Sequence, residues 1–396
     1  VLIITNSSRL FAGMTRFQSY LFHASRILDD YNGTFPFHSF VKQYFSGQKK
    51  FGSTDRRIIT HLCYCYFRLG KALSELQKEE RLLLSLLLCS QSTNIVLNAL
   101  RPEWDALTTV PLAEKISKLQ FSFSVEDIFP WTNELSEGID AKAFCASFLQ
   151  QPKLFLRLRP GKENQVLTKL QVAGISFEKI GEYALALPAS SKLDDVLQLN
   201  NEALVQDLSS QRVASFFPEM DPGSVVWDCC SGSGGKSILL YDSLPGIILT
   251  ASDKRESIIV NLKTRFREAG IRQYKALVLD LEKETLPGNI RFDLIMADVP
   301  CTGSGTWSRT PEQLYFHEPS AIAKYQLLQR KIVERIIPSL KKGNQLLYIT
   351  CSVFRQENEE NIKWAEEKFG LTTKKLDTIR GYTLGADTMF AALLTL

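Results

Sequence analysis

From Asp221 onward, short apolar runs alternate with helical patterns, and this alternation constrains the fold of the 396-residue chain more than any other feature. The runs 225–227, 247–250, 276–279, 294–297 and 345–349 are short apolar stretches with the look of buried strands. Residues 257–269 and 322–340, between them, read as helices. Strand–helix alternation gives a mostly parallel sheet with helices on both faces. Ligands of such sheets bind outside the carboxyl ends of the strands. Chemistry is therefore expected in the residues that follow each run.

The rest of the chain reads differently. Apolar residues recur at spacings of three and four over 39–45 and 55–72, and 77–88 begins charged and turns leucine-rich, as a helix entering a core does. Helical patterns continue to about 145, punctuated around Pro130 and Trp131. Near Pro152 the pattern changes. Residues 154–158 and 183–187 look like strands, and 165–173 looks like a helix stopped by Gly174. Three domains are expected: a helical one over 1–145, a small α/β one over 146–220, and the larger α/β one over 221–396.

Composition is globular, with 44% apolar and 23% charged residues, which excludes a disordered, collagenous or rod-like chain. The net charge of +4 is too mild to demand a nucleic-acid partner, so local clusters must argue for one. Residues 36–57 hold Lys42, Lys49, Lys50, Arg56 and Arg57 against one acid, Asp55. Residues 152–162 hold Lys153, Arg157, Arg159 and Lys162 against none, with Phe155 among them. Each cluster reads either as an RNA-facing patch or as a solvated basic face. Asp55 and Arg56 also suit a helix start and internal pairing.

The eight cysteines form no C-x-x-C pair and the four histidines lie far apart, so no metal site is expected. Thiols in apolar stretches suit a reducing, cytoplasmic compartment. Residues 82–100 carry no charge but are too polar to span a bilayer. Residues 1–13 lack the basic start of a signal peptide. Met14 is expected to be the natural start, with 1–13 an upstream extension.

The first run leads into Asp228-Cys-Cys-Ser-Gly-Ser-Gly-Gly-Lys236-Ser237. Glycines there allow a sharp turn and close approach to a ligand. A P-loop would need glycine where Cys230 stands, and a dinucleotide fingerprint would need it where Ser237 stands. Taken alone, the loop is also what an ordinary tight turn looks like. Asp253 ends the second run, where an acid accepts hydrogen bonds from ribose hydroxyls. Asp280 ends the third, where it can meet the exocyclic amine of adenine. Either aspartate alone is as well read as a cap or turn residue. In order at successive strand ends, loop and acids point to an adenosyl ligand. The fourth run ends in Asp298-Val-Pro-Cys301-Thr-Gly-Ser-Gly305 and the fifth in Thr350-Cys351-Ser352, which places both thiols over one crevice.

Asp298-Val-Pro-Cys301 together with Thr350-Cys351-Ser352 resembles the paired-cysteine signature of the RNA cytosine carbon-5 methyltransferases, the RsmB/NOP/NSUN group. The glycine-rich loop is similar to that family's S-adenosylmethionine motif, with Ser231-Gly232-Ser233 where Ala-Ala-Pro is common. Residues 205–211 resemble the family's segment before the first strand, and 152–157 the strand that opens its small preceding domain. Residues 52–57 with Tyr66-Phe-Arg68 resemble its NusB-like helical RNA-binding domain. The likeness covers about 36–396.

It implies an α/β, class I S-adenosylmethionine-dependent methyltransferase domain, Rossmann-like with a mostly parallel sheet. A small α/β, RNA-recognition-like domain and an N-terminal helical NusB-like domain would precede it, and no C-terminal RNA-binding appendix is expected. The implied cofactor, S-adenosylmethionine, would be held by Cys230, Ser231, Gly232, Ser233, Gly234, Gly235, Lys236, Asp253, Asp280 and Asp298. The implied product is 5-methylcytosine. Cys351 would attack carbon 6 of the base, Cys301 would assist release, and Asp298 would hydrogen-bond the cytosine edge. Lys236 and the start of the helix after the loop are expected to lend Cys351 positive potential. The implied partner is RNA, ribosomal RNA before transfer RNA, with no metal, no membrane and a monomeric chain. Two other readings compete. In a DNA-type cytosine methyltransferase Cys301 would attack instead, and a non-catalytic RNA-binding assembly factor would need neither thiol.

Overall fold

The computed structural model describes residues 14–48, 50–119 and 122–396, so Lys49 and the expected extension 1–13 lie outside the described residues. The chain forms two compact units. One comprises residues up to Thr132 with Ala141–Gln151 and Trp307–His317; the other comprises Asn133–Asp140, Pro152–Thr306 and Glu318–Leu396.

The first unit is helical. Its longer helices are Arg16–Asp30, Phe37–Ser46, Ser53–Arg68 and Lys78–Cys89. The last buries leucines almost all round, from Leu82 to Leu88, as a central helix must. Its charged start is also drawn in: the buried Arg81 guanidinium stacks 4.1 Å from the Tyr66 ring centroid and donates to the Gly70 carbonyl at 2.8 Å. Asp55 accepts from the Gly52 N–H at 3.1 Å and pairs with Arg16 at 2.7 Å, while Arg56 donates to the Phe51 carbonyl at 3.0 Å. These two residues thus do the helix-start and internal work expected of them. Lys42 and Arg57 stay exposed. The segment Trp307–His317 belongs to this unit, with Trp307 buried and close to Phe129 and Trp131.

The second unit carries both sheets. In the small one, ordered β2-β3-β1-β4, all pairings are antiparallel: β1 is Leu154–Leu158, β2 Glu178–Lys179, β3 Ala184–Leu187 and β4 Ala203–Val205. Alternation along β1 sends Leu156 and Leu158 against Val166 and Leu170 of the helix Glu163–Val172.

Two of the four basic residues of the expected patch over 152–162 are not on the surface, while Lys153 is exposed. Arg157 and Arg159 both bind Asp242, at 2.6 and 2.7 Å, with all three side chains largely buried. Phe155 is buried too, and Lys153 pairs with Glu178. The alternation that makes this run a strand turns Phe155 and Arg157 to the face that packs inward, where the carboxylate of Asp242 compensates the charge.

The large sheet is ordered β10-β11-β9-β8-β5-β6-β7. Strands β5 (Val225–Asp228), β6 (Ile248–Asp253), β7 (Tyr274–Val278), β8 (Phe292–Asp298) and β9 (Leu340–Thr350) are parallel to their neighbours among these five. β10 (Thr372–Arg380) and β11 (Thr388–Thr395) add an antiparallel hairpin at one edge. Val226, Leu294, Met296, Leu347 and Ile349 face one core with helices Gly235–Ser243 and Glu256–Glu268. Trp227, Ile295, Ala297, Leu346 and Tyr348 face the other with Ser320–Ile336 and Glu359–Phe369. Burial on both faces is why these strands read as continuous apolar runs.

The helix expected over 322–340 stops at Ile336, because Pro338 cannot continue it and Leu340 already starts β9. Chain order reverses between β5 and β8, so the crevice for a ligand opens at their carboxyl ends. Among the described residues, no helix is long and apolar enough to cross a membrane, and no cluster of three or more His, Cys, Asp or Glu could hold a metal ion.

Candidate active site

The loop after β5 is shaped by backbone needs. Gly232 and Gly234 have positive φ, at 52° and 84°, and a Cβ on Gly234 would meet the Phe266 ring at 2.7 Å. Only glycine lets the loop lie this close to the helix Glu256–Glu268. The Ser231 N–H and hydroxyl both bind the Ser252 carbonyl, at 2.8 and 3.0 Å, and Ser233 accepts from Arg265. Ser231, Ser233 and Gly234 therefore shape the loop, while Cys229, Cys230 and Gly232 line a cleft of about 350 Å³. Gly235 begins the next helix.

The same cleft gathers the strand-end acids. Asp253, Asp280 and Asp298 all line it, with Leu279, Leu281, Leu328, Ile332 and Pro300 as its apolar walls. Asp253 is held by its neighbour Arg255 at 3.0 Å, and Asp280 by Lys283 at 3.1 Å. Burial pushes the Asp280 carboxyl up, but the Lys283 and Glu282 N–H hydrogen bonds outweigh it and leave the group below its usual range.

Lys236 points back from the loop to Asp298, at 2.8 Å. Burial works against its ammonium, yet Asp298, followed by the fields of Cys351 and Asp228, holds the proton more tightly than in an ordinary lysine. Cys301 follows Pro300, and its sulfur lies 3.3 Å from that of Cys351. The Cys301 thiol is pushed well up, first by its hydrogen bond to Cys351, then by burial and by the charges of Cys351 and Glu357. Gly305 lets the two segments meet: its N–H donates to the Cys351 carbonyl at 2.8 Å, and a Cβ there would sit 1.9 Å from the Thr388 carbonyl oxygen.

Two groups at this site carry no role in the sequence analysis. Asp228, at the end of β5, is fully buried; one oxygen accepts from Ser237 at 2.5 Å and the other has no hydrogen-bond partner. Burial, only partly offset by Ser237, raises its pKa to about 7. Its signal was its place as the first residue of the loop. Glu357 is also fully buried, and it binds the residues that follow both thiols. Its only sequence signal is an acid six residues beyond Cys351.

Sheet order and strand-end site together define a class I S-adenosylmethionine-dependent methyltransferase fold. Residues 217–391 match the family described as 16S rRNA methyltransferase RsmB/F. The chain is 32% identical over 231 residues to the probable ribosomal RNA small subunit methyltransferase B of Bacillus subtilis, covering 56% of this chain and 51% of that one. It is 30% identical over 286 residues to the protein of the same name from Synechocystis, covering 67% and 63%. The chain thus spans between half and two thirds of these relatives' length. Among solved structures, PH0851 superposes with a TM-score of 0.67 at 19% identity, covering 96% of this chain and 98% of that one. NSun6 from Pyrococcus horikoshii, solved with SFG, superposes at 0.58 and 16% identity, covering 69% and 98%. At such identities these two structures speak to the fold.

Proposed function

We propose that the chain is an S-adenosylmethionine-dependent RNA methyltransferase that forms 5-methylcytosine through a covalent adduct between Cys351 and carbon 6 of the base. The observation that carries this reading is the pair of thiols, 3.3 Å apart, beside the Lys236–Asp298 ion pair at one side of an acid-rimmed apolar cleft. The small-subunit ribosomal RNA named for the matched family and relatives is the favoured substrate.

The cleft suits the cofactor. Asp253 would take the ribose hydroxyls and Asp280 the adenine amine, with Leu279, Leu281 and Ile332 against the ring and Asp298 toward the methionine end. Cys230 and Gly232 line the same space, while Ser231, Ser233, Gly234, Gly235 and Lys236 support the loop and its ion pair. When bound, the cofactor supplies a methyl group on a sulfonium.

The remaining chemistry belongs to the chain. Carbon 5 of cytosine is a weak nucleophile, and a thiolate adding to carbon 6 turns the ring into an enamine that is nucleophilic at carbon 5. Cys351 forms that carbon–sulfur bond, and Asp298 accepts from the cytosine edge and orients the ring. After methylation a base removes the carbon-5 proton, the carbon–sulfur bond breaks, and its electron pair returns to Cys351. The Cys301 S–H is placed to hydrogen-bond the departing sulfur. A stacked base hides the face a thiol must reach, so the target cytosine has to be single-stranded or flipped out.

The test is to incubate the chain with methyl-labelled S-adenosylmethionine and small-subunit ribosomal RNA, then digest to nucleosides. Label in 5-methylcytidine is expected. Label in another nucleoside, or in none, overturns the proposal.

A further inference from the structure

Each thiol sits on its own loop, 50 residues apart in sequence, and no covalent link holds one to the other. One side chain bridges the two loops. The Glu357 Oε1 accepts from the Ser352 hydroxyl at 2.5 Å and the Thr302 hydroxyl at 2.6 Å. Its Oε2 accepts from the Thr302 N–H at 2.9 Å and the Gln329 side-chain amide at 2.8 Å. Ser352 directly follows Cys351, and Thr302 directly follows Cys301. The Gln329 amide also donates to the Pro300 carbonyl, at 3.0 Å, so the residues on both sides of Cys301 are tied to this one carboxylate.

All four partners donate, which is the arrangement that satisfies an ionised carboxylate and no neutral side chain of the same size. Burial raises the Glu357 pKa, and the Ser352 and Thr302 hydrogen bonds oppose it. The Ser352 oxygen in turn accepts from the Phe354 N–H at 3.1 Å, so its own proton is left for Glu357.

We propose that Glu357 is a positioning residue for the methyl transfer: its carboxylate locks the Cys301 loop and the Cys351 turn into the register that keeps the two sulfurs 3.3 Å apart. This rests on the reading of the two thiols as nucleophile and release group. A shift of about 1 Å between reacting groups is enough to slow a step by roughly 100-fold. In Glu357→Gln the side-chain volume is kept, but the amide meets the Thr302 N–H and the Gln329 amide donor to donor, and the two loops come apart.

The experiment compares the full-length wild type with Glu357→Gln. Melting temperature and S-adenosylhomocysteine binding serve as controls. Diamide then oxidises the thiols: the pair gives up two electrons and two protons to form one S–S bond, and diamide is reduced to its hydrazine. The rate of the Cys301–Cys351 disulfide is read by peptide mass spectrometry, and kcat and KM for RNA are measured separately. The expected result is disulfide formation slowed at least about 10-fold and kcat lowered about 100-fold, with KM and cofactor binding nearly unchanged. Unchanged disulfide and kcat in a folded Glu357→Gln protein overturn the proposal. If that variant does not fold, Thr302→Val and Ser352→Ala remove the two hydroxyl anchors separately; each is expected to slow the disulfide, and unchanged rates in both overturn the proposal. A wild type that transfers no methyl group overturns the functional reading instead, while the disulfide rates still report on the spacing.

Discussion

The sulfurs of Cys301 and Cys351 lie 3.3 Å apart because β8 and β9 are adjacent parallel strands, with Asp298 opposite Ile349 in the register just before the two thiols. Cys301 holds its proton through the hydrogen bond to Cys351, burial and the nearby negative charges. The proposed roles, Cys351 attacking and Cys301 accompanying the departing sulfur, need the two sulfurs at this separation.

The cation beside this pair is Lys236. Lys236→Met leaves Asp298 without its 2.8 Å partner and removes the positive charge whose field reaches Cys351. Single-turnover methyl transfer is expected to slow by roughly 100-fold, as for loss of one preorganised electrostatic group. A quenched-flow assay checks this, and a rate within threefold of wild type contradicts it.

Asp253 is assigned to the ribose. Asp253→Ala is expected to weaken S-adenosylmethionine binding by roughly 10-fold or more, with kcat at saturation little changed, since the interaction is made equally before and during transfer. Titration calorimetry and steady-state kinetics read the two quantities separately.

Asp228 gives the fold a pH dependence of definite sign. Its carboxyl titrates at about 7 when folded against 3.8 as its reference value. The folded state therefore binds more protons between these values, and stability falls as pH rises through that window. From about pH 5 to about pH 8 the loss is on the order of 2 kcal/mol. Asp228→Asn removes this slope, which urea unfolding at the two pH values detects.

Arg157, Arg159 and Asp242 form a buried cluster between β1 and the helix Gly235–Ser243. Arg157→Met leaves part of the Asp242 charge uncompensated and is expected to destabilise by about 3 kcal/mol. Adding Asp242→Leu removes the carboxylate but strands Arg159, so recovery is expected only when Arg159 is also replaced by Met. Denaturant midpoints of the single, double and triple variants decide it.

Legibility in the sequence followed burial. Four of the five parallel strands are largely covered on both faces while β7, at the sheet edge, is partly exposed; their apolar runs stand out, and the chemistry lies directly after them. β10 was invisible because most of its residues face solvent and it reads as polar. β11 is buried almost throughout, like the parallel strands, but its centre at Ala391 and Ala392 has too little β-preference to mark a strand. The basic residues at 157 and 159 misled for the opposite reason: their partner, Asp242, is more than 80 residues away. Glu357 was hidden in the same way, since its meaning depends on Thr302, 55 residues earlier. Asp253, Asp280 and Asp298 could be read because each sits at a strand end that feeds one crevice.

The central claim is that Cys351 is the nucleophile and Cys301 is not. RNA carrying 5-fluorocytosine at the target position has no carbon-5 proton to lose, so the adduct persists once the methyl group has moved. With wild type, Cys351→Ser and Cys301→Ser proteins, the covalent complex is read by denaturing gel and the attached peptide by mass spectrometry. The account predicts an adduct on Cys351 that survives in Cys301→Ser and vanishes in Cys351→Ser. An adduct on Cys301 that survives in Cys351→Ser would contradict it.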